Sequence, residues 1–148
     1  MPAAKRADWR TPLELYLALD AEFVFELDAA ATPQNALCAR YITPEEDALV
    51  QPWAPFRTFC NPPYGRGVAA WLAKATEAEL AVYLIPSRTE TIWWHEYAMK
   101  ANEIRFLRGR LKFGGAKFNA PFPSVVLIYR RAPAGEAPLT DSKDGTND

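Results

Sequence analysis

Phe59-Cys60-Asn61-Pro62-Pro63-Tyr64-Gly65 is an apolar run that stops at a polar, proline-stiffened turn ending in an aromatic. Arg57-Thr58-Phe59-Cys60 combines β-branched, aromatic and small apolar residues with a breaker directly behind them, which predicts the end of a buried strand. Asn61 then stands at the strand's carboxyl end, the edge of an open α/β sheet where ligands bind. Two consecutive prolines fix φ at both positions and remove two backbone N–H donors, so the turn offers carbonyls with no donors beside them. The Asn61 side-chain oxygen and the Pro62 carbonyl can each accept one hydrogen of an exocyclic amino group, while Tyr64 offers a flat face to a ring. Asn-Pro and Pro-Pro also mark ordinary tight turns, so the neighbouring segments decide between the two readings.

On the amino-terminal side, Met1 to Ala7 is small and basic and is expected to fray. Thr11-Pro12-Leu13-Glu14 predicts a helix start, with Thr11 as N-cap, Pro12 at the first helical position and Glu14 closing a capping box; the helix runs to about Ala21. Phe23 to Asp28 reads as the first strand, followed by Ala29-Ala30-Ala31. An acidic residue at a strand end followed by small residues lets a ligand approach the backbone and meet a carboxylate. No Gly-x-Gly follows, which excludes a dinucleotide fingerprint for NAD or FAD.

Thr32-Pro33-Gln34-Asn35 reads as another helix opening, Cys38 to Ile42 as a short strand, and Thr43-Pro44-Glu45-Glu46 as a capping box before a brief helix at Asp47-Ala48-Leu49. About thirty residues separate Leu27 from Arg57, too few for the two strands and two helices of a full doubly wound sheet. A shortened sheet with one strand lost or vestigial is therefore predicted.

Beyond the turn, Gly67 to Glu79 has helical spacing, and Leu80 to Ile85 is a continuous apolar run, hence a strand covered on both faces. Ser87-Arg88-Thr89-Glu90 predicts a third capping box, opening a helix that carries Trp93 and Trp94. Glu103 to Leu107 and Val125 to Tyr129 predict two last strands, paired as an antiparallel hairpin across a glycine-containing basic loop.

The overall charge of -1 hides an uneven distribution. Between Glu103 and Arg131 stand Arg105, Arg108, Arg110, Lys112, Lys117, Arg130 and Arg131 against Glu103 alone, a net of +6, while Ala132 to Asp148 carries -3. A basic segment with an acidic tail fits a polyanionic partner, and a solvated face would look the same. Cys38 and Cys60 are too few and too dispersed for a disulfide framework or a zinc site, so no metal is expected. His95, the single histidine, reads as packed or surface. Without a membrane span or a signal peptide, a cytoplasmic protein is expected.

Taken in order over about Asp8 to Tyr129, the chain resembles the phage-encoded DNA adenine-N6 methyltransferase (Dam) family. The resemblance is carried by Trp9-Arg10-Thr11-Pro12, Leu27-Asp28-Ala29-Ala30, Asn35-Ala36-Leu37-Cys38-Ala39-Arg40-Tyr41, Asp47-Ala48-Leu49, the Asn61-Pro62-Pro63-Tyr64 turn and Gly109-Arg110-Leu111-Lys112-Phe113. It implies an α/β fold: a shortened Rossmann-like S-adenosylmethionine (SAM)-dependent methyltransferase sheet with a C-terminal antiparallel hairpin. Residues 1–131 would form a single methyltransferase domain and 132–148 a disordered acidic tail.

The resemblance also implies SAM as methyl donor, adenine in DNA as acceptor, and the host cell cytoplasm as location if the chain is phage-encoded. Asn61, Pro62, Pro63 and Tyr64 would be the catalytic turn. Thr11, Pro12, Asp28, Ala29, Ala30, Tyr41 and Asp47 would bind the donor, although related enzymes carry glycines where Ala29 and Ala30 stand. Arg105, Arg108, Arg110, Lys112 and Lys117 would hold DNA phosphates, and Tyr64 with Trp93 would stack on a flipped target base. Protein glutamine N5 methylation, RNA adenine methylation and a non-catalytic DNA-binding module are the rival readings, and the oligomeric state stays open.

Overall fold

A six-stranded mixed sheet runs through the molecule in the order β2-β1-β3-β4-β6-β5, the strands being β1 (Leu27–Asp28), β2 (Arg40–Tyr41), β3 (Arg57–Cys60), β4 (Leu80–Pro86), β5 (Glu103–Phe106) and β6 (Ser124–Arg130). The computed structural model describes residues 9–65 and 67–131. The fray expected over Met1 to Ala7 and the tail expected over 132–148 lie outside the described residues. Strands β2, β1, β3 and β4 are parallel; β6 is antiparallel to both β4 and β5. The predicted hairpin partners therefore pair as expected, and a single two-residue strand, β2, stands between β1 and β3 in the chain.

Alternation along the strands divides the core in two. Phe59, Val82, Leu84, Val126 and Ile128 face helix α1 (Leu13–Phe23), packing with Tyr16, Leu19 and Phe23. Cys60, Ala81, Tyr83, Ile85, Val125 and Leu127 face the other way, onto helix α2 (Val68–Ala73) and helix α3 (Ile92–Glu96) through Val68, Leu72 and Trp94. Both faces are thus covered, which is why β4 is apolar throughout. Among the described residues no helix is long and apolar enough to cross a membrane.

Several local expectations are corrected. The helix begins one residue later than the capping pattern suggests: Pro12 is the N-cap, no side chain caps it, and Thr11 lies outside. The run from Phe23 is not a strand at its start. Phe23 ends α1, Val24 turns at φ 55° with its N–H on the Asp20 carbonyl, and the Asp20 carboxylate accepts the Phe25 N–H at 2.8 Å. This C-terminal cap leaves only Leu27 and Asp28 for β1, while Phe23 and Phe25 both pack on Tyr16's side of the sheet.

Thr32 to Asn35 makes one turn and no helix, because the Asn35 side chain folds back to accept the Thr32 N–H at 2.7 Å. The Thr43–Glu46 capping box forms as predicted, around a single 3-10 turn. The Gly67 to Glu79 helix breaks into α2 and a 3-10 turn at Lys74–Glu77. The box at Ser87–Glu90 does not form: β4 continues through Pro86, the Ser87 N–H bonds the Pro123 carbonyl, and Thr91 caps α3 by accepting the Trp94 N–H at 3.1 Å.

The topology positions the site. From β1 the chain moves outward to β2, then returns across β1 to form β3 on its other side. The carboxyl ends of β1 and β3 therefore flank a topological switch point, where an open α/β sheet leaves a crevice.

Candidate functional site

A cavity of about 730 Å³ opens at that switch point. Its floor is the end of β1, where Asp28 is buried and the ladder continues past it: the Ala29 N–H bonds the Phe59 carbonyl and the Ala31 N–H bonds the Ile42 carbonyl, each at 3.0 Å. Ala29, Ala30 and Ala31 line the cavity with small side chains. The Asp28 carboxylate accepts the Leu37 N–H at 3.0 Å and the Ala30 N–H at 3.3 Å. Burial pushes its pKa up to about 6 despite those two bonds, which act in the opposite direction.

Asn61, just past the end of the neighbouring strand β3, also lines the cavity. Its Nδ2 donates to the Trp9 carbonyl at 2.6 Å and to the Thr11 hydroxyl at 3.0 Å. Its Oδ1 is buried and has no hydrogen-bond partner among the described residues. Since leaving a buried acceptor unmade costs roughly 1–3 kcal/mol, this atom marks a place where a donor from outside would be welcome. Pro62 is buried and Pro63 lines the cavity.

Tyr64 is half-buried, its hydroxyl donating to the Leu84 carbonyl at 3.2 Å and its ring edge-on to Phe122 and Phe113 at centroid distances of 5.8 and 6.3 Å. Burial drives the phenol pKa upward, so the hydroxyl stays a donor. Trp9 packs on the same two rings at 5.3 and 5.4 Å.

Of the residues chosen from sequence, Thr11, Asp28, Ala29, Ala30, Asp47, Asn61 and Pro63 line one cavity. Pro12, Tyr41, Pro62, Tyr64 and Trp93 are not among its lining residues. Trp93 packs at a tilt against Trp94, with centroids 6.1 Å apart, on the α2/α3 side of the core, away from the Trp9, Phe113 and Phe122 cluster. The Asp47 side chain accepts the Leu49 N–H at 3.1 Å, and so caps the turn that follows it. His95 is exposed and sits 2.9 Å from the Thr89 carbonyl.

Sequence reasoning missed Trp9, Leu37, Ile42, Trp71, Gly114 and Gly115, all in the lining. Trp9 and the segment ending at Phe113 were visible as motif residues; nothing local in the sequence shows that they meet.

The basic residues divide. Arg105 on β5 makes a two-pronged ion pair with Glu22 of α1, both contacts at 2.7 Å, and a further pair with Glu103 at 2.6 Å. It is a clamp between strand and helix, and a phosphate would have to displace two carboxylates. Arg108, Arg110, Lys112 and Lys117 are exposed on the loop between β5 and β6, whose Gly114 and Gly115 reach the cavity. Among the described residues, no group of three or more His, Cys, Asp or Glu could hold a metal ion.

Residues 1–135 match the family model for DNA N-6-adenine-methyltransferase (Dam). The chain belongs to the Dam family. It is 30% identical over 165 residues to a DNA N-6-adenine-methyltransferase of Escherichia phage T1, covering 94% of this chain and 69% of that protein. A DNA N-6-adenine-methyltransferase of Haemophilus phage HP1 (strain HP1c1) is 27% identical over 105 residues, which is 67% of this chain and 61% of the relative. Putative methyltransferase YfdM of Escherichia coli (strain K12) is 36% identical over 63 residues, 38% of this chain and 69% of its own length. Membership of the Dam family agrees with the resemblance carried by the Asn61 turn and its companion motifs.

Proposed function

We propose that this chain methylates the N6 amino group of adenine in DNA, with SAM as the donor. The observation that carries the reading is the buried Oδ1 of Asn61, an acceptor without a donor among the described residues, on the wall of a cavity that Asp28 also lines. The family match and the phage relatives support adenine as the acceptor base.

The residues present fit SAM. Asp28 offers an anion to a cationic or hydroxylated ligand, Ala29 and Ala30 leave room against the backbone, and the cavity of about 730 Å³ lies within the usual range for small-molecule sites. Asp47 adds a second carboxylate to the lining, while the Thr11 hydroxyl is engaged by Asn61. When bound, SAM would supply an electrophilic methyl group on a sulfonium.

The chain's own contribution is positioning and polarisation. The adenine N6 lone pair is delocalised into the ring, which makes the nitrogen a weak nucleophile. Hydrogen bonds from N6 to Asn61 Oδ1 and to the Pro62 carbonyl draw electron density onto nitrogen and hold it in an attacking geometry. No covalent enzyme intermediate is needed.

The base has to leave the duplex to reach this turn, at roughly a few kcal/mol, and stacking on an aromatic ring returns about 1–3 kcal/mol. Tyr64, fixed through its hydroxyl, is the ring available at the turn. Arg108, Arg110, Lys112 and Lys117 would grip flanking phosphates from the β5–β6 loop.

Incubation with radiolabelled SAM and, in parallel, duplex DNA, RNA and protein acceptors tests the proposal. Label recovered as N6-methyladenine in DNA is the expected result. Label confined to RNA or to protein would overturn it.

A further inference from the structure

We infer that Thr11 is a positioning residue: with the Trp9 carbonyl, its hydroxyl locks the Asn61 carboxamide in the one orientation that presents an acceptor. This rests on the reading of Asn61 as acceptor for the adenine amino group. A carboxamide is nearly symmetric in shape, and rotation by half a turn exchanges its oxygen and nitrogen. Free to rotate, Asn61 would show the base an NH2 group part of the time, which repels an amino hydrogen instead of accepting it.

The structure removes that freedom. Both Nδ2 hydrogens have acceptors, at 2.6 Å on the Trp9 carbonyl and 3.0 Å on Thr11 Oγ1. A carbonyl has no hydrogen to donate, so the flipped amide would set Oδ1 against the Trp9 oxygen. The Thr11 hydroxyl holds the plane of the amide with a second bond. Consistent with this use, Thr11 does not cap α1, whose N-cap Pro12 has no side-chain cap at all.

The Trp9–Thr11 segment is itself fastened. The Trp9 ring packs on Phe113 and Phe122, and the Arg10 carbonyl accepts the Gly114 N–H at 2.9 Å in an antiparallel bridge. A Cβ at Gly114 would lie 3.4 Å from that of Arg10, in van der Waals contact, so the two segments lie side by side. The lock therefore joins three stretches distant in sequence: the start of the chain, the turn after β3, and the β5–β6 loop.

The test compares wild type with Thr11→Val, which keeps the shape and loses the acceptor, and Thr11→Ser, which keeps the acceptor. In the unliganded 15N-labelled protein, the Asn61 side-chain amide protons, assigned by their loss in Asn61→Ala, should be slow to exchange. They should become fast in Thr11→Val and stay slow in Thr11→Ser. With SAM and duplex DNA saturating, single-turnover methylation should fall by about tenfold or more in Thr11→Val, with SAM affinity by calorimetry held and Thr11→Ser near wild type.

Amide protons indifferent to Thr11→Val overturn the lock. Weakened SAM binding with an unchanged rate also overturns it, and makes Thr11 a donor-binding residue. A wild type with protected amide protons but no methylation of DNA leaves the lock supported and sinks the functional reading instead.

Discussion

Asp28 is the residue at which the site's chemistry can be read by titration. Its carboxyl is buried at the end of β1 and its pKa lies at about 6, raised from 3.8 by burial. Because the folded pKa is above the unfolded one, the native state holds the proton more tightly between those values. The contribution to stability is complete below about pH 4 and is lost as pH rises through 6. Relative to Asp28→Asn, the wild type should therefore lose about 1 kcal/mol of denaturant-measured stability between pH 5 and pH 7. A difference that grows with pH would contradict this.

A cationic ligand beside Asp28 lowers its pKa again. SAM binding near pH 6 should thus release a proton, visible as a calorimetric heat that depends on the ionisation enthalpy of the buffer. At this scale the sequence was informative: Asp28 and Asn61 were readable as strand-end residues because the breakers behind them are local. The partners of Asn61 were not, since Trp9 and Thr11 lie some fifty positions away.

Among the elements, the β5–β6 loop and the strand before it do different work. Phosphate contacts release counterions, each contributing about 0.9 to the slope of log affinity against log salt. Replacing Arg108, Arg110, Lys112 and Lys117 with Ala should flatten that slope by up to about 3–4. Arg105→Ala should leave the slope unchanged and lower the unfolding midpoint, because its guanidinium already holds Glu22 and Glu103. Equal salt slopes for the four-site variant and wild type would remove the loop from the DNA interface.

The run of basic residues could be counted in the sequence; that Arg105 points to α1 could not. Strand β4 was legible from its unbroken apolar run, and β6 nearly to the residue. The start of β1 was not, because Phe23 and Phe25 have strand composition while the Asp20 carboxylate ends a helix there. The box expected at Ser87–Glu90 fails for a different reason: the Ser87 N–H is drawn into a bond with the Pro123 carbonyl, a partner 36 residues on.

For the molecule as a whole, the site exists only because three remote segments converge on one switch point of the sheet. Counting residues between Leu27 and Arg57 was enough to foresee a missing strand, since chain length limits topology. The cavity was not foreseeable in the same way, as part of its lining comes from Trp9, Arg10, Thr11 and Leu13 and from Gly114 and Gly115. An occupant would tie these pieces together. SAM at a hundred times its dissociation constant should stabilise the fold by about 2.7 kcal/mol, with the largest gains in hydrogen-exchange protection at residues 9–13 and 113–115. A thermal shift without protection there would place the ligand elsewhere.

The central claim is that the Asn61 oxygen, which has no hydrogen-bond partner among the described residues, polarises the adenine amino group. Single-turnover methylation of duplex DNA by wild type and Asn61→Ala, with SAM and DNA both saturating, measures it directly. The account predicts that the variant binds both ligands as wild type does and loses about 2.7–4 kcal/mol of transition-state stabilisation, some hundredfold to a thousandfold in rate. An Asn61→Ala protein that transfers the methyl group at the wild-type rate would contradict it.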